Sequence, residues 1–251
     1  MSRIVFFHGY ASSGAVGTVD ALRRMLPECE ILAPDIPVDP EEALPYLRQY
    51  CAEKRPDLII GTSMGGMYAQ QMFGFRKICV NPAFNMSQSS KMLKTGTHKF
   101  LNGRKDSAKE FTITRETIRH FNMMERAQFK GITEFDVENT YGLFGIGDPL
   151  VNTYDLFRKH YPNARRFEGE HNLNETVLRK EVLPLVRQIL GPEARECRTG
   201  AYGRVPVSSA GNCSGYAAPE TTAVEMDSHE IICTSPQGGE NEDVGYEDLI
   251  L

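Results

Sequence analysis

Short runs of β-branched and aromatic residues alternate with stretches of helical periodicity along the first 190 residues of this 251-residue chain. This pattern predicts strands at 4–7, 30–33, 57–60, 78–80, 141–144 and 165–167. It predicts helices at 19–25, 40–54, 154–160 and 174–190. Such an alternation is typical of an α/β protein in which a mostly parallel sheet carries helices on both faces.

Two segments depart from the alternation. Residues 85–139 are irregular and polar, with a helical patch at 114–129, and an insertion at such a place favours a helical lid over a binding site. Residues 191–251 carry a net charge of −8 against +3 for residues 1–190, and all 13 Phe lie before position 191. A segment of that composition buries too little apolar surface to offset its ordering entropy. We therefore predict one domain over 1–190 and an acidic, disordered tail over 191–251.

Charge and cysteine usage exclude several classes of function. A net charge of −5 is too mild to indicate a nucleic-acid partner. The six cysteines show no CxxC spacing, so a zinc site is not expected. The sequence predicts neither a signal peptide nor a membrane span, and free thiols in a reducing cytoplasm are the default expectation.

A glycine-rich turn carries the strongest chemical signal. Gly61-Thr62-Ser63-Met64-Gly65-Gly66 follows the predicted strand 57–60 and precedes an apolar helical run at 67–73. This is the context of a nucleophile elbow, in which a strained turn exposes the serine hydroxyl and side chains at 61 and 65 would collide with it. The prediction makes Ser63 the nucleophile and the backbone N–H of Met64 an oxyanion donor. The alternative is a tight turn that merely packs on small residues.

His8-Gly9-Tyr10 follows the first predicted strand, whose carboxyl end meets the same sheet edge as the elbow. Gly9 lets the chain approach closely, so the backbone N–H of Tyr10 is the candidate for the second oxyanion donor. For His8 we expect a structural role.

An acid and a base are expected after the serine, each in a loop that follows a strand. Asp148 lies in the loop after strand 141–144, and His171 lies in the loop after strand 165–167. Asp148 is predicted to orient the imidazole of His171, which takes the proton from Ser63 and returns it to the leaving group. Asp35, after strand 30–33, is the alternative acid. The competing residues for these roles are Asp155, His98, His120, His160 and His229.

The insertion offers two weaker signals. Its apolar side chains suit an acyl pocket, but packing within the lid is the favoured interpretation for Met86, Met92, Phe100, Phe111, Phe121, Met123 and Met124. Its basic side chains suit an anionic substrate, but a solvated face is favoured for Lys91, Lys94, Lys99, Arg104, Lys105 and Lys109.

Over residues 1–190 the chain resembles the α/β-hydrolase superfamily, and within it the small YqiA-like bacterial esterases. The motifs that carry this resemblance are Phe6-Phe7-His8-Gly9-Tyr10, Ala33-Pro34-Asp35, Gly61-Thr62-Ser63-Met64-Gly65-Gly66, Asn81-Pro82-Ala83, Gly147-Asp148 and Gly169-Glu170-His171. The resemblance implies a serine hydrolase without a cofactor that acts on a small acyl ester or thioester. Acyl transfer to an alcohol would use the same residues. A catalytically inactive hydrolase fold that binds a ligand or partner is the alternative.

Overall fold

A computed structural model of the chain describes residues 1–88 and 93–191, and its strands follow the predicted order. They are β1 Ser2–Phe7, β2 Cys29–Leu32, β3 Leu58–Thr62, β4 Lys77–Val80, β5 Gly96–Lys99, β6 Glu110–Ile113, β7 Thr140–Gly145 and β8 Ala164–Phe167. Six of them form one parallel sheet in the order β2-β1-β3-β4-β7-β8. The predicted parallel sheet is confirmed. Strand β3 is central in this order, so the turn that follows it lies in the middle of the carboxyl edge of the sheet.

Helices connect the strands on both faces of the sheet. They are α1 Gly17–Met25, α2 Pro40–Lys54, α3 Met64–Gln70, α4 Arg115–Ala127, α5 Glu134–Asn139, α6 Tyr154–Arg158, α7 Glu175–Val177 and α8 Leu183–Leu190, with a π-helical turn Leu178–Val182 between the last two. Asp39 caps α2 by accepting the N–H of Glu41. Pro40 is the first residue of the helix, where a backbone N–H would have no partner within the helix. The predicted bounds of α2 are confirmed at both ends.

Alternate side chains of each strand enter two separate hydrophobic cores. On β1, Val5 and Phe7 face the core under α2, α3 and α4, whereas Ile4 and Phe6 face the core under α1 and α8. All four are fully buried. A strand buried on both faces has no polar alternation, which is why β1 is a continuous apolar run in the sequence.

The insertion is only partly helical, so the prediction of a helical lid needs correction. Strands β5 and β6 form an antiparallel hairpin, and we call residues 96–113 the lid hairpin. Its connecting loop contacts the loop after β1: the N–H of Leu101 donates to the carbonyl of Ala11 at 2.7 Å, and the amide of Asn102 donates to Ser12 Oγ at 2.9 Å. The hairpin strands are short and expose one polar face, which hid them from a search for apolar periodicity.

Helix α8 covers one face of the sheet and is the last described element of the chain. Its buried stripe of Leu183, Leu185, Val186 and Ile189 packs in the same core as Ile4 and Phe6. The predicted tail lies outside the described residues, apart from Gly191. Nowhere in 1–88 or 93–191 is a helix both long and apolar enough to cross a membrane.

Candidate active site

Ser63 occupies the sharp turn between β3 and α3. Its backbone has φ 54° and ψ −120°, a conformation that costs a non-glycine residue free energy. The surroundings hold it there: its N–H donates to the carbonyl of Val80 at 2.9 Å, and its own carbonyl accepts the N–H of Ala83 at 3.1 Å. The side chain is 7% exposed. The turn therefore presents the hydroxyl at the carboxyl edge of the sheet, as expected for an elbow.

Glycines at 61 and 65 are required by close backbone contacts. A Cβ on Gly61 would lie 2.2 Å from the carbonyl oxygen of Gly65, which is the collision across the turn that the sequence predicts. A Cβ on Gly65 would instead lie 2.1 Å from the carbonyl oxygen of Phe7. The second glycine is therefore needed because α3 starts directly against the end of β1.

His171 lies between Ser63 and Asp148. Its Nε2 is 3.0 Å from Ser63 Oγ, and its Nδ1 is 2.7 Å from Asp148 Oδ2. The Asp148 side chain is 1% exposed, and its Oδ1 also accepts the N–H groups of Leu150 and Val151, at 2.8 and 3.0 Å. Because the carboxylate accepts, Nδ1 of His171 is the donor and Nε2 is free to accept from the serine hydroxyl. The structure thus brings the three predicted residues into one hydrogen-bonded chain.

The loop after β1 brings the predicted oxyanion donors near Ser63. A Cβ on Gly9 would lie 3.5 Å from that of Ser63. The Gly9 carbonyl is held by Nδ1 of His8 at 2.8 Å and by the N–H of Ser12 at 3.3 Å. Since C=O and N–H point in opposite directions in a trans peptide, the N–H of Tyr10 is turned away from these partners. Within the described residues, neither this N–H nor that of Met64 donates a hydrogen bond to another protein group.

His8 has the structural role expected of it. Its side chain is buried, and burial lowers its pKa to about 4, so the ring is neutral at physiological pH.

The alternative residues are occupied elsewhere. Asp35 accepts the N–H groups of Gly14 and Lys105, each at 2.7 Å, and so joins the loop after β1 to the lid hairpin. His120 pairs with Asp39 at 2.9 Å, which raises its pKa, and thereby links α4 to the start of α2. The remaining histidines of the described chain stack on phenylalanines: His98 on Phe111 and His160 on Phe129. Asp155 lies in the first turn of α6, and His229 lies outside the described residues.

A cavity of about 480 Å³ opens onto Ser63 and His171. Its apolar walls include Val16, Leu101, Leu150 and Leu173. Leu101 and Leu150 are 76% and 50% exposed, so they form an apolar mouth that nothing else covers in the described part of the chain.

The Met and Phe side chains of the insertion that are described do not line this cavity, so the acyl-pocket alternative is wrong for them. Met86, Phe121 and Met124 lie in the core under α2, and Phe100 packs on Phe111. Met123 is exposed on α4, and Met92 lies outside the described residues. Across 1–88 and 93–191, no group of three His, Cys, Asp or Glu side chains is placed to hold a metal ion.

The chain is similar to proteins of one fold. Residues 3–120 match the model of an uncharacterised protein family, UPF0227. Est1E from Butyrivibrio proteoclasticus, in a structure with ferulic acid bound, superposes with a TM-score of 0.51 at 14% identity, covering 75% of this chain and 89% of that one. The esterase domain of a Rhodothermus marinus protein superposes with a TM-score of 0.51 at 17% identity, covering 74% and 86%.

No curated protein matches the sequence. The sheet order, the elbow after β3 and the similarity to these two structures agree on the fold. The chain therefore has the α/β-hydrolase fold, the fold that the resemblance implied.

Proposed function

We propose that the protein is a serine hydrolase that cleaves a small carboxylic ester or thioester through an acyl-enzyme on Ser63. The observation that carries this proposal is the hydrogen-bonded chain from Ser63 through His171 to Asp148, with contacts of 3.0 and 2.7 Å. The Ser63 end of this hydrogen-bonded chain lies in the cavity of about 480 Å³, where a substrate of modest size has access to the serine hydroxyl. One of the superposed structures is the esterase domain of a Rhodothermus marinus protein, which agrees with this class of reaction.

The first half of the reaction forms the acyl-enzyme. Nε2 of His171 takes the hydroxyl proton as Ser63 Oγ bonds to the substrate carbonyl carbon. The carbonyl oxygen becomes an oxyanion that accepts hydrogen bonds from the N–H groups of Tyr10 and Met64. Collapse of this intermediate breaks the bond to the leaving oxygen or sulfur, which receives the proton from His171.

The second half releases the acid. A water molecule gives its proton to Nε2 of His171 and attacks the acyl carbon, and the bond to Ser63 Oγ then breaks as Oγ takes back the proton. Asp148 keeps the proton of the neutral imidazole on Nδ1 and stabilises the imidazolium in both halves. Every proton in the cycle therefore passes through one nitrogen of His171.

Labelling with a fluorophosphonate tests the proposal. The probe phosphonylates a serine only where a base activates it, so we expect a single adduct on Ser63 by peptide mapping. Ser63→Ala and His171→Ala should both abolish the adduct and hydrolysis of p-nitrophenyl acetate, while circular dichroism stays unchanged. Ser12→Ala removes another hydroxyl that lines the same cavity and should leave the adduct in place.

Two outcomes would overturn the assignment. An adduct on a serine other than Ser63 would mean that the nucleophile is wrong. A folded protein that neither reacts with the probe nor hydrolyses activated esters would favour the non-catalytic binding protein of this fold.

A further inference from the structure

Asn81, directly after β4, has a left-handed backbone, as Ser63 and Ala11 do. Its φ is 44°, and its side chain is 1% exposed. Asn is among the few non-glycine residues that tolerate this conformation, so the position suits it better than most side chains. It begins the Asn81-Pro82-Ala83 motif, to which the proposed chemistry gives no role.

The side-chain amide of Asn81 forms hydrogen bonds with two loops. Its Nδ2 donates to the carbonyl of Glu170 at 3.0 Å and to that of His171 at 3.1 Å, while its Oδ1 accepts the N–H of Gly145 at 2.8 Å. The partners fix the orientation of the amide, because carbonyls only accept and an N–H only donates. One loop carries His171 and the other leads to Asp148.

The backbone on either side of Asn81 is bound to Ser63. The carbonyl of Val80 accepts from the N–H of Ser63 at 2.9 Å, and the N–H of Ala83 donates to the carbonyl of Ser63 at 3.1 Å. Asn81 therefore stands in a segment held in register with the nucleophile. Its side chain reaches from that segment to the base loop and the acid loop.

We infer that Asn81 is a positioning residue that sets His171 and Asp148 against Ser63. This inference rests on the proposed function, since the alignment matters only if the three residues react. The two loops also contact each other directly, through the N–H of Gly147 and the carbonyl of Gly169 at 2.9 Å. That contact holds base and acid together, and the Asn81 amide joins both loops to the segment whose backbone is bonded to Ser63.

Substitutions separate the amide from the backbone conformation. Asn81→Gly keeps the left-handed backbone and removes all three side-chain hydrogen bonds. Asn81→Asp keeps an acceptor for Gly145 but turns an oxygen towards the carbonyls of Glu170 and His171. Gln70→Ala is the matched control, because Gln70 is a fully buried amide that donates to Tyr161 Oη at 2.7 Å, away from the three residues.

We expect both Asn81 variants to lose kcat by about 10- to 100-fold with KM within about threefold, since a displacement near 1 Å costs that much. The rate of fluorophosphonate labelling should fall by a similar factor. The downfield proton resonance of His171 Nδ1 should broaden or move, because the bond to Asp148 is no longer held. Gln70→Ala should lower the melting temperature while kcat and this resonance stay as in the wild type.

The outcomes distinguish the two proposals. If the wild type itself does not label at Ser63, the proposed function fails. If the wild type labels and the Asn81 variants label at the same rate with the same kcat, the positioning role is overturned. If both Asn81 variants fail to fold, the amide supports the fold and not the alignment, and the inference is equally overturned.

Discussion

Nε2 of His8 accepts the backbone N–H of Ile36 at 2.9 Å. This bond requires the neutral ring and leaves the proton on Nδ1, which donates to the carbonyl of Gly9. The His8 imidazole thus holds the loop after β2 through Ile36. It also holds the peptide group between Gly9 and Tyr10, which contains the N–H of Tyr10. Protonation of His8 would place two donors face to face at Ile36.

The stability of the fold should therefore depend on the titration of His8. Its pKa is about 4 in the folded protein against an ordinary value of 6.5, so between these values the unfolded chain binds more protons. The contribution of neutral His8 to the free energy of unfolding is complete above pH 6.5 and is lost as the pH falls towards 4. It amounts to up to about 3 kcal/mol.

Urea unfolding near pH 7.5 and near pH 4.5 measures this loss. His8→Gln keeps an acceptor for Ile36 but does not titrate, so the variant should lose less stability than the wild type between the two pH values. Equal losses in the two proteins would contradict the prediction.

Replacement of Asp148 by Asn should lower turnover by a factor on the order of 10⁴. The amide oxygen of Asn can keep the N–H groups of Leu150 and Val151, so its NH₂ faces Nδ1 of His171. The imidazole must then carry its proton on Nε2, where it cannot accept from Ser63.

Asp35→Asn is the control for this prediction, because Asp35 bonds only backbone N–H groups among its described contacts. It should loosen the lid hairpin and reduce kcat by far less than Asp148→Asn. The opposite ranking, measured by steady-state kinetics with p-nitrophenyl esters, would make Asp35 the acid.

The apolar mouth of the cavity should set the preferred acyl length. Truncating Leu101 to Ala keeps its backbone bond to Ala11 and costs little stability, because the side chain is 76% exposed. It should lower kcat/KM for hexanoate esters by about three- to tenfold and for acetate esters hardly at all, since only the longer chain contacts the leucine.

Met123→Ala provides the comparison, because Met123 is 53% exposed but lies on α4 outside the cavity. Its chain-length profile should match that of the wild type, with short to medium acyl groups preferred. A preference of the wild type for long acyl chains would refute this account of the cavity.

A chain that ends at Leu190 should fold and retain activity within a few-fold of full length. All three proposed catalytic residues precede this point, and α8 already supplies the apolar stripe that covers one face of the sheet. Thermal unfolding and ester hydrolysis of the two proteins test the boundary. Loss of folding or of all activity would show that residues 191–251 belong to the domain.

The order of the central elements was readable from the sequence because β1, β3 and β4 are buried on both faces. Runs such as Ile4 to Phe7 and the caps of α2 are local signals that survive in one dimension. The elbow was also predicted from a local signal, because the required glycines lie within two residues of Ser63. The lid hairpin was not, because contacts such as Tyr10 packing on Phe111 join residues about a hundred positions apart.

By itself, then, the sequence determined the parallel sheet, the position of the serine and a short set of residues for the acid and the base. It favoured Asp148 as the acid and kept Asp35 as the alternative, since both follow strands at the same sheet edge. The strand order decides between them: β2 and β7 each lie two strands from β3, on opposite sides, and β8, which precedes His171, pairs with β7. The amide of Asn81 was equally invisible, because its partners at 145, 170 and 171 come together only when three parallel strands end side by side.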